Sequence, residues 1–187
     1  MEKVFRFGIV GCGLVRATHS KGIAELPNAE LVAVCDIVEE KARRLAAEYP
    51  VEVYVDYQRM LERSDIDIVT VLTPSGLHAK IAIDATRAGK HVIVEKPMDV
   101  TLTQADAMID AASSAGVKPC VISQHRFDPP VVALKEAIHS NKLGQLNFGG
   151  SHTKWYRSQE YYDSGDWRGT WALDGCGALI NQSIHYV

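Results

Sequence analysis

Short apolar runs recur along the first 122 residues, and each is followed by a stretch with helical spacing. This alternation constrains the fold more than any single residue does. Phe5 to Val10 is the first run and ends at glycine. Leu14 to Leu26 then reads as a helix stopped by Pro27-Asn28. Leu31 to Cys35 is apolar on both faces and ends at Asp36, a pattern that suits a parallel strand covered by helices on both sides. A helix from Glu39 to Glu48, a strand from Val53 to Val55, a helix from Tyr57 to Arg63 and a strand from Ile68 to Leu72 follow. Gly76 to Ala88 is a helix closed by Gly89, and His91 to Val94 a strand. Thr101 offers an N-cap for a helix reaching Ala115, and Val121-Ile122 lies in a sixth strand.

Strands alternating with helices predict an α/β protein with a doubly wound parallel sheet of Rossmann type, three strands before about residue 56 and three after it. The pattern changes after residue 124. Pro129 to Ser140 is helical, Gln145 to Arg157 reads as a strand, Ser158 to Asp174 is aromatic and polar, and Gly175 to Val187 reads as a helix. The expected division is a dinucleotide-binding domain over residues 1–124 and the first part of an α/β substrate domain over residues 125–187. A lone strand cannot form a sheet, and the chain stops inside a helical pattern. A fragment of a longer protein is therefore expected.

Composition narrows the class. The 187 residues are 47% hydrophobic and 23% charged, which is ordinary globular usage. Twenty basic residues against 23 acidic ones leave a net charge of -3. No cationic excess is available for a run of phosphates, so nucleic acid is not an expected partner. No apolar run reaches the ~20 residues that span a bilayer, and the N-terminus lacks the apolar core of a signal peptide. The four cysteines are widely spaced and form no C-x-x-C, which points to reduced thiols, a cytoplasmic protein and no metal site.

Gly11-Cys12-Gly13 lies between the first strand and the first helix, and Leu14 and Val15 follow it. One glycine permits a tight turn. The next leaves room for a pyrophosphate at a helix N-terminus. The third glycine of G-x-G-x-x-G is replaced by Arg16, so close helix–strand packing falls to Ala17 or to a shifted helix. Asp36, at the end of the second strand, is placed to accept hydrogen bonds from adenine-ribose hydroxyls and to repel a 2′-phosphate. The alternative is that it simply caps the next helix. The first role favours NAD(H) over NADP(H).

Two further stretches are Thr73-Pro74-Ser75-Gly76-Leu77-His78 and the Glu95-Lys96-Pro97 turn after the fifth strand. Together with the glycine loop, at this spacing, the chain resembles the Gfo/Idh/MocA oxidoreductase family (glucose–fructose oxidoreductase and inositol dehydrogenase) along its whole length. The resemblance implies that Thr73, Pro74, His78, Glu95, Lys96 and Pro97 line the cofactor site. It also implies that Lys96 is catalytic and that the Lys96–Pro97 bond is cis. His78 has two roles open, contact with the cofactor region or capping of the helix that begins there.

Gly175 to His185 resembles the family's glycine-rich motif that opens the active-site helix. Asn181 and His185 are four apart and share a face on one helix. By resemblance, His185 faces the nicotinamide as acid or base. Many members carry Asp where this chain has Asn181, which shifts weight toward Lys96. Arg168, within Trp167-Arg168-Gly169-Thr170-Trp171, and Arg126 are candidates for an anionic substrate group. Tyr161 and Tyr162 are candidates for sugar faces.

The expected function is an NAD-dependent oxidoreductase moving a hydride between nicotinamide and a secondary hydroxyl of a sugar, polyol or nucleotide-sugar. A homo-oligomer is expected for the full-length protein. The alternatives are a non-catalytic nicotinamide sensor and a fragment that binds cofactor without turning over.

Overall fold

The computed structural model describes residues 3–175 and 177–186. Cys176, one of the four expected thiols, lies outside the described residues. Six strands form one parallel sheet: β1 (Phe5–Val10), β2 (Ala29–Cys35), β3 (Glu52–Tyr54), β4 (Ile68–Val71), β5 (His91–Val94) and β6 (Pro119–Val121). Their order is β3-β2-β1-β4-β5-β6. The chain starts in the middle of the sheet, winds outward, returns and winds the other way, so the switch point lies between β1 and β4.

Five helices connect the strands: α1 (Arg16–Ala24), α2 (Glu39–Ala46), α3 (Tyr57–Leu61), α4 (His78–Arg87) and α5 (Leu102–Ala115). Thr101 caps α5, its hydroxyl accepting the Gln104 N–H at 3.2 Å. The alternation of side chains along a strand splits the core in two. Ile9 packs on one face of the sheet with Leu31, Val34 and Leu45. Val10 packs on the other with Val69, Val71, Met60 and Met108. Burying each of these large side chains contributes roughly 1.5–3 kcal/mol.

After β6 come a 3₁₀ turn at Gln124–Phe127, α6 (Pro129–His139), α7 (Gln159–Asp163), α8 (Ala178–Asn181) and a 3₁₀ turn at Ser183–Tyr186. Two expectations are corrected here. Residues 145–157 form no strand, because no described segment hydrogen-bonds to their backbone, and a β-ladder exists only between paired backbones. The helix expected from Gly175 is four residues long and gives way to the 3₁₀ turn. Asn181 and His185 therefore do not share one helix. Among the described residues no helix is long and apolar enough to cross a membrane.

Candidate active site

The glycine loop is built by steric exclusion. Gly11 has φ +97°, and a Cβ there would lie 2.7 Å from the Leu72 carbonyl carbon. No other residue fits between β1 and β4 without moving one of them. The Cβ side of Gly13 is open, which leaves room for a ligand to approach the backbone. Asp36 holds this loop in shape. Its Oδ2 accepts the Cys12 N–H at 2.8 Å and its Oδ1 the Val38 N–H at 2.9 Å. The carboxylate thus ties the glycine loop to the turn before α2, whose N-cap is Val38 with no side-chain hydrogen bond, and each oxygen keeps further acceptor capacity. The Cys12 and Cys35 thiols are buried and stay protonated. Burial, then the charge of Asp36, pushes both up to about 12.

Arg16 begins α1 in place of the third glycine. Its Nη1 donates to the Gly13 carbonyl at 2.9 Å. Ala17 is exposed and does not take over the packing role. Ser20 and Ile23 face the core instead. The side chains of Leu14 and Val15 are exposed, so these residues can offer the loop their backbone.

The two motif loops leave the carboxyl ends of β4 and β5, neighbouring strands on the same side of the switch point. Thr73 places its hydroxyl in a buried position with no partner inside the described protein. An unpaired buried hydroxyl is costly unless a ligand completes it. His78 is 1% exposed. Its Nδ1 lies 2.8 Å from the Pro97 carbonyl oxygen and its Nε2 2.8 Å from that of Thr73. Both ring nitrogens are occupied within the protein. His78 therefore braces one loop against the other and has no ring nitrogen to offer a dinucleotide.

Glu95 makes the contact that sequence reading missed. Its Oε1 lies 2.8 Å from His19 Nε2, on α1. Its Oε2 accepts the Lys96 N–H at 3.1 Å. Burial pushes this carboxyl up, but the His19 hydrogen bond and the positive charges around it outweigh burial and hold it below its usual range. A buried glutamate must have a partner, and that was the available signal; nothing local says which of seven histidines supplies it.

Lys96 follows, and the Lys96–Pro97 bond is cis. Its Nζ crosses to the C-terminal segment and donates to the Asn181 carbonyl at 2.7 Å and to Asn181 Oδ1 at 3.2 Å. Burial is the main cause that lowers its pKa. Glu95 and Asp174 pull it back up, while Arg157 and Arg168 add to the lowering. Asn181 is held in turn by Asp174, whose Oδ1 accepts its amide N–H and whose Oδ2 accepts the Gly169 N–H at 2.7 Å.

The same segment docks on the Thr73 loop. The Gly76 N–H donates to the Leu173 carbonyl at 3.0 Å, and a Cβ at Gly76 would collide with the Ala172 carbonyl oxygen. His185 meets His125 edge-on, ring centres 4.6 Å apart. His125, also missed from sequence, places Nδ1 2.7 Å from Asp128 Oδ2. Burial, Lys96 and then His125 lower the His185 pKa, so the ring is neutral near pH 7. A small cavity of about 210 Å³ opens beside Asn181, lined also by Trp155, Arg157, Tyr161, Tyr162 and Asp174. Arg126 is exposed and does not line it.

Sheet order and glycine loop define a dinucleotide-binding protein of the Rossmann type. The unpartnered Thr73 hydroxyl, the open side of Gly13 and the loop held by Asp36 fit such a cofactor. Sequence comparison makes the class specific. Residues 5–123 match the model described as an oxidoreductase family with an NAD-binding Rossmann fold, and residues 131–187 match the GFO/IDH/MocA C-terminal domain. The chain belongs to the Gfo/Idh/MocA oxidoreductase family.

Among its relatives, inositol 2-dehydrogenase of Salmonella typhimurium is 34% identical over 78% of this chain and 45% of that protein. Levoglucosan dehydrogenase of Pseudarthrobacter phenanthrenivorans is 31% identical over 96% of this chain and 48% of that protein. Among solved structures, the WlbA dehydrogenase of Bordetella pertussis, in complex with NADH and UDP-GlcNAcA, superposes with TM-score 0.92. It is 36% identical, over 99% of this chain and 55% of that one. The scyllo-inositol dehydrogenase of Lactobacillus casei with NAD(H) and scyllo-inositol gives 0.72, at 30% identity, over 76% of this chain and 43% of that one. The chain spans about half the length of these relatives.

Proposed function

We propose that the complete protein is an NAD-dependent dehydrogenase that oxidises a secondary hydroxyl of a sugar, in the nucleotide-sugar branch of the family. The observation that carries this reading is the placement of Lys96. Its ammonium leaves the end of β5, one strand beyond the switch point, and reaches Asn181, beside the aromatic and arginine-lined cavity. A buried cation held between a dinucleotide loop and a sugar-sized pocket suits an oxygen that becomes alkoxide-like in the transition state. The match to the WlbA structure over nearly the whole chain supports the nucleotide-sugar branch over the polyol branch, whose structure matches over a smaller share.

Bound NAD supplies the hydride acceptor. Gly11, Cys12 and Gly13 would hold its phosphates, Asp36 would accept from its adenine ribose, and the Thr73 hydroxyl would find in it the partner that the protein does not supply. Lys96 donates a hydrogen bond to the substrate oxygen. The neutral His185 ring takes the hydroxyl proton at a ring nitrogen. Asn181 brings no charge of its own and orients Lys96 through its carbonyl oxygens. No membrane partner or nucleic-acid partner enters this reading, and a cytoplasmic homo-oligomer is the expected setting.

The test uses the complete protein and a panel of sugars, polyols and nucleotide-sugars, with NADH formation as readout. Turnover in the parent, lost in Lys96→Met with NADH affinity kept, is the expected result. Unchanged turnover in Lys96→Met overturns the role of the lysine. An NADH-binding parent inert across the panel favours the nicotinamide-sensor alternative.

A further inference from the structure

We propose that Arg16 is a cofactor-binding residue whose guanidinium pairs with the pyrophosphate of the dinucleotide. Its position is that of the third glycine in G-x-G-x-x-G, which serves close packing of helix on strand. Here the chain carries a cation instead, and the described protein gives that cation no counter-charge. The inference concerns the cofactor half of the site and is independent of which sugar is oxidised.

The first observation is the state of the guanidinium. Its Nη1 donates to the Gly13 carbonyl at 2.9 Å, the one side-chain hydrogen bond of Arg16 among the described residues. Its Nε–H is buried with no partner in the described protein. The ion pairs of α1 among the described residues join His19 to Glu95 and Lys21 to Glu25, and Arg16 enters neither. A buried donor on a permanent cation is costly unless an acceptor completes it. An anionic oxygen satisfies the donor and the charge together.

The second observation is its place. The hydrogen bond ties the guanidinium to Gly13, where a Cβ would meet nothing within 4 Å. Arg16 therefore borders that open space without filling it. The start of α1 lies beside it. The first turn of α1 holds no acidic residue, and Val15 at its N-cap makes no side-chain hydrogen bond. The helix end and the guanidinium thus favour an anion at one place.

The third observation is a charge conflict within the loop. Asp36 Oδ2 accepts the Cys12 N–H at 2.8 Å, so a negative charge stands in the loop that has to receive two phosphates. Like charges repel there, more strongly as water is excluded. Arg16 brings the opposite charge to the same loop. The Cys12 thiol, raised chiefly by burial and then by Asp36, is lowered by Arg16. Lys41 acts in the same sense but is exposed on α2, where salt screens it. With Arg16 in place, Asp36 can turn away a 2′-phosphate without turning away the pyrophosphate.

The experiment measures binding to the complete protein by calorimetry. The probes are NADH, ADP-ribose, adenosine and NADPH. Arg16→Met is expected to weaken NADH and ADP-ribose by about ten- to a hundredfold, the effect of losing a hydrogen bond to a charged group. Adenosine, which lacks the pyrophosphate, should stay within about twofold of its parent value. Arg16→Gly installs the third glycine and should weaken NADH to the same extent; it serves if the methionine variant does not fold. Arg16→Lys keeps the charge without the planar fork and should recover part of the loss.

Unchanged NADH affinity in Arg16→Met overturns the proposal, as does NADH affinity kept or raised in Arg16→Gly, which would make the residue a substitute in packing. Equal losses of NADH and adenosine would trace the effect to a distorted loop and overturn it too. A loss confined to NADPH would assign the guanidinium to a 2′-phosphate and overturn the pyrophosphate assignment. So would a parent that binds no NADH. Failure of the dehydrogenase reading shows separately, as absent turnover while NADH binding still depends on Arg16.

Discussion

His19 Nε2 and Glu95 Oε1 lie 2.8 Å apart across 76 positions of sequence. Their side chains are 14% and 16% exposed. This pair ties α1, which carries the phosphate loop at its N-terminus, to the turn that carries Lys96. The two ends of the expected cofactor are thereby held by one interaction.

Glu95 titrates below its ordinary value in the folded chain, so it contributes stability that is present above the unfolded pKa of about 4.3. That contribution is lost as pH falls through the folded value. Glu95→Gln is expected to destabilise the protein by about 1–3 kcal/mol at pH 7, the scale for breaking a buried charged hydrogen bond. Denaturant titrations at pH 7 and below pH 4 check it. The gap between variant and parent should close at the lower pH; an equal gap at both would show that the pair's charge plays no part.

His185 lies below its ordinary pKa, chiefly through burial, then through Lys96 and His125. As a base it works only when neutral. The rate of alcohol oxidation should be level around pH 7 and fall as pH drops through a value below about 6.5. His185→Asn is expected to lower turnover by about 10²- to 10⁴-fold and to remove the acid limb. His125→Gln removes one lowering charge and should move that limb upward. A pH–rate profile unchanged in His185→Asn would exclude the residue as the base.

Asp36 accepts from Cys12 and Val38 with separate oxygens. Its removal loosens the phosphate loop and takes away the charge that repels a 2′-phosphate. Asp36→Ala is expected to weaken NADH by about ten- to a hundredfold, the effect of losing hydrogen bonds to a charged group. NADPH should lose less. Tryptophan-quenching titrations with both cofactors give the ratio, and a ratio equal to that of the parent would remove Asp36 from cofactor selection.

Gly76 has no space for a Cβ against Ala172, and its N–H donates to Leu173. Gly76→Ala should push the Thr73 loop off the C-terminal segment and cost about 1–3 kcal/mol, as overpacking does. Affinity for NADH and for a sugar substrate should both fall, because the displaced loop carries the Thr73 hydroxyl and also docks the segment beside Asn181. Paired titrations with NADH and a sugar substrate check this, and unchanged affinity for both would show that the loop tolerates the displacement.

Strands β1 and β5 match their sequence-derived bounds, and the remaining strand bounds differ by one or two residues. These elements are local: runs of apolar residues end at Gly11 and Glu95, and Thr101 caps α5 with its own hydroxyl. The glycine loop, the acid after β2 and the two motif loops were legible for the same reason. The stretch from 145 to 157 was not, because its residues have strand preferences but no described partner. His19, His125 and Arg157 were not legible either. Each acquires its place from a residue far away in the chain.

The local sequence by itself determined which segments become strands and helices, and thereby the doubly wound sheet and its edge of ligand-binding loops. Apolar period, caps and turn glycines act within a few residues, so they can be read in order. Only the tertiary structure decided that Glu95 pairs with His19, that His78 is a brace, and that Lys96 reaches Asn181, 85 positions away. Those partnerships arise where the carboxyl ends of parallel strands converge. The requirement that buried charges and ring nitrogens find partners selects them there, and no local pattern encodes that requirement.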